Sequence, residues 1–347
     1  MPDPRTGALR VLFYTRAAAR EGQECFADYL VRGMPEGAVG WAFMLDDHWG
    51  ERSGHMLREH GPVTLMWGSE GERRAQFRRV VQDFRPDVIH SNFHPGSRWS
   101  RELGLPLLVT IHGLTGGAWY GAEYADLAVG VSPAAVKGTD TVVLTGVKAL
   151  EYVQPRRRRR GVFAHIGRLD TDRNPDLFLD ALALVPEARG LVIGRANRRS
   201  FDVDAEAARR GMAERVEWLG EQPADEARAQ GARADCVVCP CLVESFGMGT
   251  AELMTAGARP VVVEGPGYQA QMAAAYGIVT PATPAAFADG LRRALKQPLA
   301  ETERRAMAAE AADLYSYRRM AEEYLALYRI VLAGRRKRVR ASAVVVG

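Results

Sequence analysis

No stretch of the chain reaches the roughly 18 uninterrupted apolar residues of a membrane span, and the first twenty residues, MPDPRTGALRVLFYTRAAAR, lack the apolar core of a signal peptide. These absences predict a cytoplasmic protein. Cysteine is scarce, with 4 in 347 residues, which excludes a disulfide framework as the source of stability. Three of the four cluster in ADCVVCPCLVE as Cys236, Cys239 and Cys241, where C-x-x-C spacing invites a zinc or redox reading. The surrounding residues read as an apolar strand, on which positions 236 and 239 face opposite sides, and Cys25 lies far away in sequence. Buried free thiols are therefore expected.

What is present is ordinary globular material, 47% hydrophobic and 25% charged, in a chain long enough for two cores. The net charge of +4 is uneven: residues 1–150 carry 16 Lys and Arg against 17 Asp and Glu, a net of −1, and residues 151–347 carry 30 against 25, a net of +5. Ten of the cations fall in two runs, Arg156–Arg160 and the RRKRVR of Arg335–Arg340. Such runs can grip nucleic acid or an anionic membrane; a solvated linker and a solvated tail are the expectation here. Without a basic excess in the first half, membrane association is not expected.

Along the chain, short β-branched or Leu-rich runs alternate with helical stretches. LRVLFYT, PDVIHSN, LPLLVTIHG and ADLAVGVS read as strands in the first half, and CFADYLVRGM as a helix. GVFAHIGRL, RGLVIG, RVEWLG, ADCVVCP and RPVVVEG restart the pattern in the second, where NPDLFLDALALV places Pro175 near a helix start. The predicted fold class is α/β, with two doubly wound, Rossmann-like domains facing across a cleft. Residues 1–150 form the first domain and 151–316 the second. Residues 317–333 form a terminal helix that returns to the first domain, and 334–347 a basic tail. VVLTGVKALEYVQPRRRRR reads as the linker. Ligands in such sheets bind at the carboxyl ends of the strands, which directs attention to the turns GRL, ESFG and EGPG.

In ESFGMGTAELMTAGARPVV, Glu244 precedes a glycine turn and Glu252 lies within the following helix. Gly247 and Gly249 let backbone approach a ligand, and the amides from Phe246 through Gly249 at a helix start make a phosphate cradle. A carboxylate beside such a cradle repels phosphate, so sugar hydroxyls are its expected partners. In GRLDTDRN, Gly167 introduces Arg168 and Arg173, whose guanidinium groups suit phosphate oxygens and the charge growing on a departing diphosphate. The intervening Asp170-Thr171-Asp172 resembles a metal-binding D-x-D but reads as helix-start capping. Asp46-Asp47-His48 reads as a polar loop, with acceptor contact open. Trp218 borders a nucleotide-base pocket or belongs to the core.

These residues carry a resemblance. GRLxxxR at 167–173, WLG at 218–220, ADCVVCPCLVESFGMGTAELMTAGARPVV at 234–262, and DVIHSN, LLVTIHG and ADLAVGVS in the first half resemble the retaining GT-B glycosyltransferases of family 4, over about residues 9–330. The resemblance implies an E-x7-E pair at Glu244, near the transferred sugar, and Glu252, on the nucleotide ribose. It implies a diphosphate-holding pair at Arg168 and Arg173, the second usually Lys. It places His112 of VTIHG near the anomeric centre and Gly22 in the glycine loop after the first strand, where paired glycines are usual. The usual interdomain Asn is replaced within Thr145-Gly146-Val147-Lys148. Catalytic roles fall to Glu244, Arg168, Arg173 and His112, and donor contacts to Gly22, Gly167, Phe246, Gly247, Met248, Gly249, Glu252 and Trp218.

The implied activity is retaining transfer of a hexose from a UDP- or GDP-sugar, without metal or cofactor, to a hydroxyl of a small soluble acceptor. The acidic stretch Asp46–Glu51 suggests a cationic natural product such as an aminocyclitol. The competing readings are a lipid or polysaccharide acceptor, a phosphorylase or sugar-nucleotide isomerase on the same frame, and a nucleic-acid-binding protein led by its Arg runs. Two-carboxylate hydrolysis leaves the phosphate cradle unexplained.

Overall fold

The computed structural model describes residues 8–16, 22–46, 55–114, 117–135, 137–196 and 201–345, with side chains described to 334. The chain divides into two compact units, one formed by Met1–Gly146 with Tyr317–Gly347 and the other by Val147–Ser316.

The first unit holds the strands β1 (Leu9–Arg16), β2 (Val39–Asp46), β3 (Val63–Met66), β4 (Val88–Ser91), β5 (Leu107–Ile111), β6 (Leu127–Gly130) and β7 (Thr141–Val142), with helices α1 (Gly22–Gly33), α2 (Glu70–Phe84) and α3 (His94–Glu102) among them. All neighbours pair in parallel, in the order β3-β2-β1-β4-β5-β6-β7. Val11 to Tyr14 and all of β5 are buried, as expected of strands covered on both faces. α2 starts at a capping box, with Ser69 accepting from the Glu72 amide and Glu72 from the Ser69 amide.

The second unit holds β8 (Arg159–Ile166), α4 (Pro175–Ala183), β9 (Arg189–Ile193), α5 (Val203–Arg209), β10 (Val216–Trp218), α6 (Ala224–Ala232), β11 (Ala234–Cys239), α7 (Met248–Thr255), β12 (Arg259–Val263), α8 (Gln269–Ala273), β13 (Ile278–Thr280), α9 (Pro284–Lys296) and α10 (Glu301–Leu314). Its parallel sheet runs β10-β9-β8-β11-β12-β13. Its larger core packs Phe163, Val192, Cys236, Val238, Val261 and Val263 against Phe178 and Leu182 of α4 and Phe287 and Leu291 of α9.

The last helix, α11 (Tyr317–Val345), belongs to the first unit. Tyr324 and Tyr328 are fully buried. The Tyr328 hydroxyl lies 2.7 Å from His90 Nδ1 in β4, His90 Nε2 lies 2.7 Å from the Thr110 hydroxyl, and Thr110 lies 2.9 Å from the Tyr324 hydroxyl. A buried polar chain of this kind satisfies each member only when the helix is docked. Gly146 and Val147 mark the crossing: Gly146 N donates to Met320 Sδ at 3.0 Å within the first unit, and Val147 N donates to Tyr315 O at 2.7 Å within the second.

Two expectations need correcting. The Arg156–Arg160 run is not a solvated linker, because Arg159 and Arg160 begin β8 and Arg158 donates to the carbonyls of Val153, Ala234 and Ala256 at 2.8–2.9 Å. Its guanidinium staples the segment before β8 to β11 and to the end of α7. The Arg335–Arg340 run, expected as part of a tail, continues α11 as helix.

Candidate functional site

Each sheet reverses its strand order once, between β1 and β4 in the first unit and between β8 and β11 in the second. At such a reversal the loops leaving adjacent strands part to opposite faces and open a crevice at the carboxyl edge. Most of the candidate residues stand at these two places.

In the second unit, β8 delivers Gly167 and Arg168. Gly167 takes φ 136°, a region that disfavours side chains, and donates to Ile193 O. Arg168 pairs with Asp170 at 2.5 Å, both side chains about one-third exposed. Asp170 makes no capping bond to the 3-10 turn of Thr171–Arg173, so helix-start capping is replaced by an ion pair.

Arg173 folds back onto β11's loop. Its guanidinium pairs with the Glu244 carboxylate and lies 3.9 Å from Cys241 Sγ. Burial would lower the pKa of this guanidinium, but the Glu244 charge outweighs it and holds Arg173 raised. His165, buried behind it in β8, is lowered to about 4 by burial and by the Arg173 charge, so it is neutral at pH 7.

The loop carrying Glu244 is clamped from several sides. Phe246 N donates to Glu244 Oε1 at 3.4 Å, Tyr268 N to Glu244 O at 2.9 Å, and Gln269 Nε2 to Cys241 O at 3.0 Å. Phe246 is buried, stacked on Tyr268 at 5.7 Å and edge-on to Tyr315 at 5.4 Å, so its side chain is a packing anchor and only its backbone faces the turn. Gly247 takes φ 93° as the residue before α7, and the first bond of the helix runs from Ala251 N to Gly247 O. The amides of Met248, Gly249 and Thr250 have no acceptor within the helix. Gly249 also serves packing: a Cβ there would stand 2.7 Å from Ile166 Cγ2, so the glycine lets α7 approach β8.

Glu252 is buried inside α7 and pairs with Arg228 of α6 at 3.0 Å. Trp218 donates from Nε1 to Gly194 O at 3.3 Å and lines a cavity of about 370 Å³ with Arg195, Ala196, Asp204, Leu219 and Glu221, at the carboxyl ends of β9 and β10. Sequence reasoning missed His165, Tyr268, Gln269 and Tyr315. The EGPG turn was the only local signal for the middle two.

In the first unit, Asn92 follows β4 directly, and its amide donates to Tyr14 O of β1 at 2.9 Å, which seats it on the reversal point. Its side chain is fully buried, and among the described residues neither Nδ2 nor Oδ1 has a partner. His112 follows β5; its Nε2 is likewise buried and has no partner among the described residues, Phe26 packs edge-on to its ring at 4.8 Å, and burial lowers its pKa to about 3. Beside them Trp119, exposed at 55%, packs against Phe93 with centroids 5.9 Å apart. Asn92 was missed, and the polar closure of DVIHSN was its only signal.

Gly22 is exposed at the first residue of α1, and the preceding loop, including Arg20 and Glu21 of REGQ, lies outside the described residues. Asp46 is not part of a polar loop: it ends β2 fully buried, accepting from the Tyr14 hydroxyl at 2.6 Å and from Arg73 at 3.1 Å. Asp47, His48 and the rest of that acidic stretch lie outside the described residues.

Two doubly wound units with parallel sheets define the class, an α/β protein. Residues 151–314 match the family model described as glycosyl transferases group 1. The segment similarity extends to a D-inositol 3-phosphate glycosyltransferase of Mycobacterium sp. (strain KMS), 33% identical over 108 residues, which is 30% of this chain and 24% of that protein. The namesake from Segniliparus rotundus is 37% identical over 109 residues, 29% of this chain and 24% of that protein. The aligned stretch thus spans about a quarter of the length of these curated relatives.

Over nearly the whole chain the fold is that of solved GT-B glycosyltransferases. Anabaena HepE in complex with UDP superposes with a TM-score of 0.74 at 17% identity, covering 91% of this chain and 98% of that one. The sucrose-phosphate synthase of Thermosynechococcus elongatus gives 0.78 at 15%, covering 94% and 100%. A glycosyltransferase involved in avilamycin A biosynthesis gives 0.67 at 20%, covering 94% and 98%. Among the described residues, no helix is long and apolar enough to cross a membrane.

Proposed function

We propose that the protein is a retaining glycosyltransferase that moves a sugar from a nucleoside diphosphate sugar, UDP- or GDP-linked, to a hydroxyl of a small acceptor. The observation that carries this reading is the gathering of Arg168, Arg173, Glu244 and the open amides at the start of α7 around the reversal of the second sheet. The family match over that unit and the UDP held by HepE support it.

In this reading the amides of α7 and the guanidinium groups of Arg168 and Arg173 receive the diphosphate, and the cavity beside Trp218 receives the base. Arg173 must then share or leave Glu244, which frees that carboxylate for the hydroxyls of the transferred sugar. Glu252 meets the ribose if it keeps its pairing with Arg228. The bond from the anomeric carbon to the diphosphate breaks, the acceptor oxygen bonds to the same face of that carbon, and its proton passes to the departing phosphate oxygen. Charge grows on that oxygen in the transition state, where fixed donors stabilise it most. No protein nucleophile or metal is required by this route.

The first unit supplies the acceptor side. Asn92 offers a neutral donor and acceptor, neutral His112 adds a second polar contact, and the Phe93–Trp119 face suits the apolar face of a hydroxylated ring. These groups favour an uncharged polyol region over a cation, which moves the reading from an aminocyclitol toward a neutral sugar or cyclitol. Cytoplasmic location remains part of the proposal.

Thermal unfolding against UDP, GDP, ADP and dTDP tests the donor class, since a ligand at 100 times its Kd adds about 2.7 kcal/mol. One responder, with release of that diphosphate from its sugar conjugate and retained anomeric configuration in the product, is the expected result. Absence of any responder, or an inverted product, refutes the proposal.

A further inference from the structure

The C-x-x-C spacing in ADCVVCPCLVE points to the wrong pair. Cys236 packs into the core on one face of β11, with Phe163 and Val238. Cys239 and Cys241 pack together elsewhere, against Val262 and Ala273. Pro240 ends the strand between them, and the chain then turns so that Glu244 joins the two thiols: the two sulfurs and a carboxylate oxygen all lie within 4.8 Å of one another. A zinc ion with Zn–S bonds of about 2.3 Å and Zn–O bonds of about 2.1 Å holds tetrahedral ligand atoms roughly 3.5–3.8 Å apart, within reach of this arrangement by small rotations.

We propose that Cys239, Cys241 and Glu244 form a binding site for a thiophilic divalent cation of the zinc or cadmium class, and that its occupancy competes with the Arg173–Glu244 ion pair. Three features favour it. The ligand loop is preorganised, with backbone oxygens at both ends, Cys241 O and Glu244 O, accepting from Gln269 and Tyr268. Two thiolates with one carboxylate select zinc or cadmium over magnesium or calcium. Three anionic ligands are balanced by a divalent ion together with the Arg173 guanidinium, which already lies 3.9 Å from Cys241 Sγ. The way in is the partly exposed side of the cluster, where the Arg173 and Glu244 side chains are 29% and 16% exposed.

The functional consequence rests on the glycosyltransferase reading: a cation that takes Glu244 removes the carboxylate assigned to the sugar, so zinc inhibits where magnesium does not. Binding itself stands apart from that reading.

The test uses the full-length, untagged, reduced chain. Cobalt titration reads thiolate ligation directly through its sulfur-to-cobalt absorption band, and zinc competition against a chromophoric chelator reads affinity. The expected result is one ion per chain, with the band retained in the Cys25→Ser/Cys236→Ser variant. Zinc affinity should fall at least tenfold in Cys239→Ser and in Cys241→Ser, each checked for folding by its melting transition. Should either variant fail to fold, the double variant that keeps only Cys239 and Cys241 decides the matter. Loss of the band there, or no band in the natural chain, overturns the site. If the band is present but no nucleoside diphosphate release is seen with any donor, the site holds and the glycosyltransferase reading fails. If release occurs and zinc leaves it unchanged at saturation of the band, the competition with Arg173 is refuted.

Discussion

Among the described residues, the reversal point of the second sheet is lined with formal charges that the fold already pairs, while Asn92 at that of the first, with His112 on the neighbouring strand, presents neutral polar atoms without partners. Arg173 has Glu244 and Arg168 has Asp170; Asn92 has two idle side-chain atoms and His112 has one. The contrast follows from the cost of each state. A partly buried charge without a counter-charge is too costly to keep, so a site for a phosphate group stores its cations in ion pairs that a ligand can open. A buried neutral amide left unsatisfied costs about 1–3 kcal/mol, which a domain can carry. Such a cost makes sense if hydroxyl groups of a ligand remove it.

The comparison can be broken or sharpened by experiment. The largest effect is expected from Arg173→Ala, which removes the partner of Glu244 and, under the proposed function, a donor for the departing diphosphate. Turnover measured as nucleoside diphosphate release should fall by about 10²–10³, roughly 2.7–4 kcal/mol of transition-state stabilisation. A loss below about fivefold would remove the second unit's reversal point from the chemistry.

Acid should act next. His165 is neutral in the folded protein, with its pKa lowered to about 4 by burial and the Arg173 charge, against about 6.5 when unfolded. As pH falls below about 6.5, the unfolded chain takes up a proton that the folded chain refuses until about pH 4. Stability is therefore full above that window and declines through it, by about 3 kcal/mol at this one site. Urea unfolding at pH 7 and pH 5 should show the decline, and His165→Leu should flatten its share. An unchanged slope in that variant would show that His165 is not held neutral.

Gly249→Ala places a methyl 2.7 Å from Ile166 Cγ2 and should cost about 1–3 kcal/mol by overpacking. Adding Ile166→Ala should recover part of the loss, and a Gly249→Ala protein as stable as the parent would return that glycine to ligand approach. The smallest effect has the opposite sign: Asn92→Leu replaces an unsatisfied amide with an apolar group of similar size and should raise stability by about 1 kcal/mol while weakening acceptor use. A destabilised variant with an unchanged acceptor KM would mean that Asn92 serves the fold alone.

Nine of the thirteen strands were readable because a parallel strand buried on two faces leaves a continuous apolar run, as in LRVLFYT and RPVVVEG, whereas β2, β3, β7 and β13 were not read. The placement of Arg168, Arg173, Glu244 and Gly247 in turns and before a helix start was readable because such features are local. Arg158 was not, since five consecutive arginines look alike until one of them finds three carbonyls. Asp46 was misplaced because its partners, Tyr14 and Arg73, are 32 and 27 positions away. Asn92 carried no sign of its idle amide for the same reason.

Residue order settled the alternation of strand and helix, the free-thiol composition and the glycine turns that present backbone amides, because each depends on neighbours within a few positions. Folding alone decided which arginine meets which acid, that Cys239 joins Cys241 and Glu244 instead of Cys236, and that α11 docks on β4 and β5 through His90 and Thr110. Those outcomes depend on groups tens to hundreds of positions apart, and a pairing between them acquires an energy only once the intervening chain has closed around it.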